Sequence, residues 1–265
     1  MTPRSPTAIA HVPPRRTPVT TAPLLRREDD RGIAVLTLDS PHNRNALSVA
    51  LIRQLTEALD AAAADGAVRA VLLTHTGSTF CSGADLKADG PAGGPELLVG
   101  LMRAIAGLPK PVVAKVAGHA RAGGLGLLAA CDISVAGSAA TFAFSESRLG
   151  LAPSVASIPV LDRVGSGAAT RYFLTGETFR AAEAVRIGLV TAQDEALDGI
   201  LAGLRAASPQ GLAESKAVAR RSLRAALADG TAAELIAQSA RLFGSPEAAE
   251  GIKALLERRD PPWAW

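Results

Sequence analysis

Cysteine and aromatic residues are scarce in this 265-residue chain, which has two cysteines, one tyrosine, two tryptophans and six phenylalanines. Cys81 and Cys131 stand in apolar or glycine-rich surroundings without a CxxC partner or a nearby histidine cluster, so reduced thiols that bind no metal are expected. So few rings leave little material for stacking nucleic-acid bases. No apolar run reaches the roughly eighteen residues that a membrane span requires. The stretch before Glu28 also lacks the continuous apolar segment of a secretory signal. These absences predict a cytoplasmic chain with neither a membrane nor a nucleic acid as partner.

What is present is an ordinary core-forming composition with an uneven charge. Hydrophobic residues make up 48% of the sequence, enough for one large domain with an appendage. The formal charge is +3, from 28 basic and 25 acidic residues. Arg4, Arg15, Arg16, Arg26 and Arg27 all precede the first acidic residue, so the remainder carries 23 basic groups against 25 acidic ones. A nearly neutral body does not make a basic binding face. The Arg/Pro/Thr-biased residues 1–27 read as a disordered leader.

Hydrophobic periodicity organises the rest. Ile33 to Leu38 predicts a strand, and Leu47, Leu51, Leu55 and Leu59 recur every four residues as one face of a helix ending near Asp65-Gly66. Val68 to Thr74 predicts a second strand. A helix carrying Leu97, Leu101 and Ile105 then runs to Pro109, followed by a strand over Val112 to Ala117. Leu125 to Cys131, apolar on all sides, predicts a buried helix, and Asp132 to Ala136 another strand. Such alternation implies an α/β body. From Gly165 the pattern is almost wholly helical, with Gly188 as a helix C′ residue, Thr231 and Glu234 as a capping box, and Ser245-Pro246 as a cap and first-turn pair. The resulting division is a leader at 1–27, an α/β core at 28–200 and a helical C-terminal region at 201–265.

Two glycine-rich segments follow strands, where absent side chains let backbone approach a ligand. They are Phe80-Cys81-Ser82-Gly83-Ala84-Asp85-Leu86-Lys87 and Gly118 through Gly126. Neither is a dinucleotide fingerprint or a phosphate loop ending in GK[ST]. Tight turns are the plain structural reading of both. Together with one carboxylate they make a site for enolate chemistry: two convergent N–H groups stabilise a thioester oxygen more as it becomes anionic than while it is neutral. Glu146, inside the apolar stretch Phe142-Ala143-Phe144-Ser145-Glu146, is the carboxylate. Burial raises a carboxyl pKa toward the range useful for acid–base work. A structural ion pair with Arg148 or Arg171 is the alternative.

These segments resemble the crotonase superfamily, the enoyl-CoA hydratase/isomerase family. The resemblance is carried by Asn45-Ala46-Leu47, the Phe80–Lys87 segment, Lys110-Pro111-Val112, Gly118-His119-Ala120-Arg121-Ala122-Gly123-Gly124, Cys131-Asp132, and Phe142 to Glu146 followed by Leu149-Gly150-Leu151-Ala152-Pro153. It covers the chain from about Gly32 to its end. It implies a superhelix of ββα units with a C-terminal helical trimerisation region, assembled as a homotrimer or a dimer of trimers. It puts oxyanion donors on the N–H groups of Ala84 and Gly123, a catalytic role on Glu146, and coenzyme A contacts at Arg44, Ala84, Leu86 and Lys87. The substrate implied is an acyl-CoA thioester, with coenzyme A as part of that substrate and no separate cofactor or metal.

One departure from the pattern bears on the reaction. The hydratases of this family carry a second glutamate three residues after the glycine aligned with Gly123, and here that position is Gly126. The reading is reversible syn hydration of a 2-enoyl-CoA, with Δ3/Δ2 isomerisation through Glu146 alone and noncatalytic acyl-CoA binding as alternatives. Pocket walls are expected from Phe144, Leu149, Ile158 and the loop after Lys87. Cys81 is not expected to act as a nucleophile, since only His75 lies near it in sequence.

Overall fold

A computed structural model describes residues 23–86 and 94–265. Strands β1 (Leu25–Asp30) and β2 (Ile33–Leu38) form an antiparallel hairpin, turned by Arg31 and Gly32, both at positive φ. β1 thus begins inside the stretch read as leader. Helix α1 (Val49–Ala64) starts where Ser48 Oγ accepts the Leu51 N–H at 3.2 Å, and it buries the predicted leucine stripe, Leu51, Leu55 and Leu59. Each such leucine contributes roughly 1.5–3 kcal/mol by leaving water.

Three ββα-like turns follow. Strands β3 (Ala70–His75) and β4 (Thr79–Cys81) lead to helix α2 (Gly94–Gly107). Strands β5 (Val112–Val116) and β6 (His119–Arg121) lead to α3 (Gly123–Ala130). Strands β7 (Ile133–Ala136) and β8 (Thr141–Ala143) lead through a 3-10 turn, Glu146–Leu149, to α4 (Ser154–Leu161). Helix α5 (Ser166–Thr175), strand β9 (Phe179–Arg180), helix α6 (Ala181–Arg186) and strand β10 (Ala192–Gln193) complete this part. The first strand of each turn joins one sheet and the second joins another: β1-β2-β3-β5-β7-β10 and β4-β6-β8-β9. Beyond the β1–β2 hairpin the larger sheet is parallel, as are the β4–β6 and β6–β8 pairs of the smaller one.

The C-terminal helices are α7 (Leu197–Ala206), α8 (Pro209–Ala219), α9 (Arg221–Ala228), α10 (Gly230–Phe243) and α11 (Pro246–Glu257). Leu197, Leu201 and Leu204 of α7 cover the outer face of the larger sheet against Ile33, Leu72, Val113 and Val135. Helix α7 spans the division expected at 200/201 and packs with the core. Ser245 caps α11 as expected, its Oγ accepting the Ala248 N–H. The cap of α10 is Asp229 rather than Thr231, because the Asp229 carboxylate takes the Thr231 N–H at 2.8 Å.

A buried charge cluster ties the C-terminal helices to α3. Lys216 of α8 pairs with Asp132 at 2.7 Å, and its Nζ also donates to the carbonyls of Ile105 and Lys110. Arg220 donates to the Ala129 carbonyl at 2.8 Å, while Arg163 donates to the carbonyls of Ala129, Cys131 and Asp132. Two guanidinium groups therefore cap the C-terminal end of α3, where the helix dipole favours positive charge. Among the described residues no helix is long and apolar enough to cross a membrane.

Candidate active site

Because β4, β6 and β8 are parallel neighbours, the segments that leave them emerge at one edge of the small sheet. Ala84 follows Cys81 by three residues, Gly123 follows Arg121 by two, and Glu146 follows Ala143 by three. Three candidate residues that lie far apart in sequence thus share one wall of a single cavity of about 150 Å³.

The two glycine-rich turns touch. Gly83 has φ +88, and a Cβ built there would lie 3.0 Å from the Ala122 Cβ and 3.3 Å from the Gly123 nitrogen, so only glycine allows this approach. Leu47 donates its N–H to the Gly83 carbonyl at 2.8 Å, which fixes the first turn without using the Ala84 N–H. Ala122 fixes the second. It adopts φ +48, ψ −125, a strained conformation for an L residue, and donates its N–H to the Ala143 carbonyl at 3.2 Å. Gly123 then opens α3, where helix geometry leaves the first N–H groups unpaired. Neither the Ala84 nor the Gly123 N–H has a hydrogen-bond partner among the described residues.

Glu146 opens the 3-10 turn and is 7% exposed. Its Oε2 is buried without a hydrogen-bond partner among the described residues. Burial pushes the carboxyl up to about 7, and the residue's own backbone N–H offsets this only in part. The ion-pair alternative does not occur: Arg171 pairs with Glu177 at 2.6 Å and Arg148 donates to the Thr175 carbonyl at 3.0 Å. The Glu146 turn is held from behind by α11, where a Cβ at Gly251 would lie 2.5 Å from the Leu149 carbonyl oxygen.

The coenzyme A contacts implied by the resemblance are placed unevenly. Arg44 is exposed, with φ +61, beside Asn43, whose side-chain amide donates to Asp85 at 2.9 Å. Leu86 lines the cavity, although its N–H is taken by the Ala84 carbonyl at 3.1 Å. Lys87 lies outside the described residues. Of the expected walls, Leu149 lines the cavity. Phe144 instead packs edge-on against Phe173 and Ile158 is buried in the core, so neither is a wall. Helices α10 and α11 supply walls that the periodicity did not foretell, through Ser239, Phe243 and Leu255.

Gly126 carries no second carboxylate, and little space is left for one. A Cβ built there would meet the Ala156 Cα at 3.0 Å and its Cβ at 3.1 Å, so α4 occupies the direction such a side chain would take. Cys81 is fully buried, and burial pushes its thiol up to about 12. His75 does not face it as a base; its Nε2 accepts the Ala117 N–H at 3.1 Å.

The family model described as enoyl-CoA hydratase/isomerase matches residues 28–264. The chain belongs to that family. Within it, a Rhodobacter capsulatus protein named "Probable enoyl-CoA hydratase" is 36% identical over 251 residues, covering 89% of this chain and 96% of the relative. The 2,3-dehydroadipyl-CoA hydratase of Escherichia coli is 33% identical, over 86% of this chain and 94% of its own length. The crystal structure of an enoyl-CoA hydratase from Mycobacterium avium superposes with a TM-score of 0.86 at 46% identity, covering 92% of this chain and all of the other. The alternating two-sheet body with its helical C-terminal bundle is the crotonase fold.

Proposed function

We propose that the chain moves a proton on the acyl group of an enoyl-CoA thioester, with Glu146 carrying the proton and the N–H groups of Ala84 and Gly123 holding the enolate oxygen. The observation that supports this most directly is the Glu146 carboxyl, buried and, among the described residues, unpaired by any cation, in the same cavity wall as two N–H donors without partners there. With the thioester oxygen between those donors, loss of the α-proton to Glu146 would place charge on the oxygen they hold. Each donor is worth roughly 3 kcal/mol to such a transition state. A carboxyl near 7 can both take and return the proton at neutral pH. In this reading Arg44, exposed next to Asn43, meets the coenzyme A phosphates. Apolar side chains left exposed at Leu174, Val218, Leu255 and Leu256 fit assembly as a homotrimer or a pair of trimers.

The lone carboxylate favours Δ3/Δ2 isomerisation over the syn hydration expected from the sequence. Among the described residues Glu146 is the sole carboxylate lining the cavity, and one carboxylate suffices to lift a proton from the α-carbon and return it at the γ-carbon. Syn hydration of a 2-enoyl-CoA is the second reading, favoured by the names of the relatives; it requires Glu146 both to orient the water and to protonate the α-carbon. Assaying 3-enoyl-CoA isomerisation and 2-enoyl-CoA hydration side by side tests the order. Isomerisation lost in Glu146→Gln supports the first reading, and faster hydration than isomerisation reverses it. Acyl-CoA binding without α-proton exchange in either protein points to a noncatalytic carrier.

A further inference from the structure

The C-terminal helices place one polar side chain in an otherwise apolar part of the cavity. Ser239 of α10 is 7% exposed and lines the cavity together with Phe243 and Leu255. A hydroxyl within a helix commonly donates to the carbonyl four residues back. Thr56 does so to Ile52 and Thr175 to Arg171, each at 2.9 Å. The Ser239 hydroxyl makes no such bond and has no partner among the described residues, and its oxygen keeps some accessible surface. An accessible hydroxyl without a protein partner can bond a polar group that enters the cavity.

We infer that Ser239 reads a neutral hydrogen-bonding group at the far end of a short acyl chain, which names a substrate class for the enoyl-thioester reading and rests on it. Ser239 comes from α10, an element separate from the strand ends that carry Ala84 and Gly123, and in this assignment it meets a part of the acyl group beyond the reacting carbons. The described part of the cavity, about 150 Å³ and partly open to solvent, has room for a group of roughly benzene size. No Lys, Arg or His lines it among the described residues, and Glu146 adds a negative charge when ionised. An anionic chain end would be desolvated without a counterion and repelled. A neutral hydrogen-bonding end, such as a hydroxyl or keto group, suits the part of the lining where the Ser239 hydroxyl is the polar feature beside Phe243 and Leu255.

The test compares hexanoyl-CoA, 6-hydroxyhexanoyl-CoA and the adipyl (terminal carboxylate) thioester by calorimetric binding, with kcat/KM measured on the matching enoyl forms. The hydroxyl-ended ligand is expected to bind about tenfold more tightly than the plain one. Ser239→Ala should abolish that preference and Ser239→Thr, which keeps the hydroxyl, should retain it. A preference that persists in Ser239→Ala, or a carboxylate-ended ligand binding best, overturns the assignment. So does an equal loss of kcat on every substrate, which would place Ser239 at the reacting atoms. Selective binding without turnover would count against the enzymatic reading and uphold the role of Ser239; no binding of any of the three defeats both.

Discussion

Gly126 and Ala156 meet almost backbone to backbone, a Cβ at the first lying 3.0 Å from the Cα of the second. Helix α4 therefore stands where a second acid would have to pass. Gly126→Glu is expected to lower stability by roughly 1–3 kcal/mol through overpacking, and not to raise hydration. Thermal unfolding and a hydration assay check both halves. Adding Ala156→Gly should recover only part of the loss, because the nearest atom is the Cα, which glycine retains.

The raised pKa of Glu146 gives stability a defined pH dependence. Below the ordinary value of 4.5 the carboxyl is protonated both folded and unfolded, so it contributes nothing. Between 4.5 and about 7 the unfolded chain ionises first, and stability falls as pH rises. Above 7 the full cost, roughly 3 kcal/mol, is present. Glu146→Gln should therefore raise the Tm at pH 8 and leave it almost unchanged at pH 4. Wild-type kcat/KM should rise with pH through about 7 as the base ionises; a flat profile would count against Glu146 as the base.

Gly83→Ala tests the contact between the donor turns. The new methyl would press on Ala122 and on the Gly123 nitrogen, and φ +88 is strained for alanine. Displacing one donor should reduce kcat by roughly 10²–10³, while circular dichroism stays native.

Both cysteines are buried with thiols pushed up to about 12. Native protein should resist a thiol-specific reagent, react with two equivalents once unfolded, and retain activity after treatment when folded.

Lys216→Met leaves Asp132 without its closest cation. Removing one partner of a buried pair costs about 3–5 kcal/mol, so a large fall in the denaturant midpoint is expected, and Lys216→Met combined with Asp132→Asn should unfold less readily than Lys216→Met alone.

The strongest periodic elements were legible in the sequence. Strand β2 matches Ile33–Leu38, and α1 buries the leucines spaced by four, because one repeated contact decides each. Strands β4, β6 and β8 were not found, since three residues are too few to show alternation. The cap of α10 was misplaced for a local reason: Thr231 and Glu234 have the right spacing, but Asp229, two residues earlier, reaches the Thr231 N–H first. At the site, Glu146 was visible as a lone charge among apolar neighbours. Ala156 and Ser239 were not, because small residues on helices carry no mark of what they face. The closure of the Gly126 position depends on the distance between two helices.

The charge cluster around Asp132 limits how the chain can be cut and rejoined. Asp132 and Arg163 belong to the sheet-bearing body and Lys216 and Arg220 to the helical end, yet each half supplies counterions that the other needs in its interior. A chimera spliced near residue 207 from two relatives would strand buried charges unless both sides of the cluster travelled together, which makes the helical end a poor module for exchange.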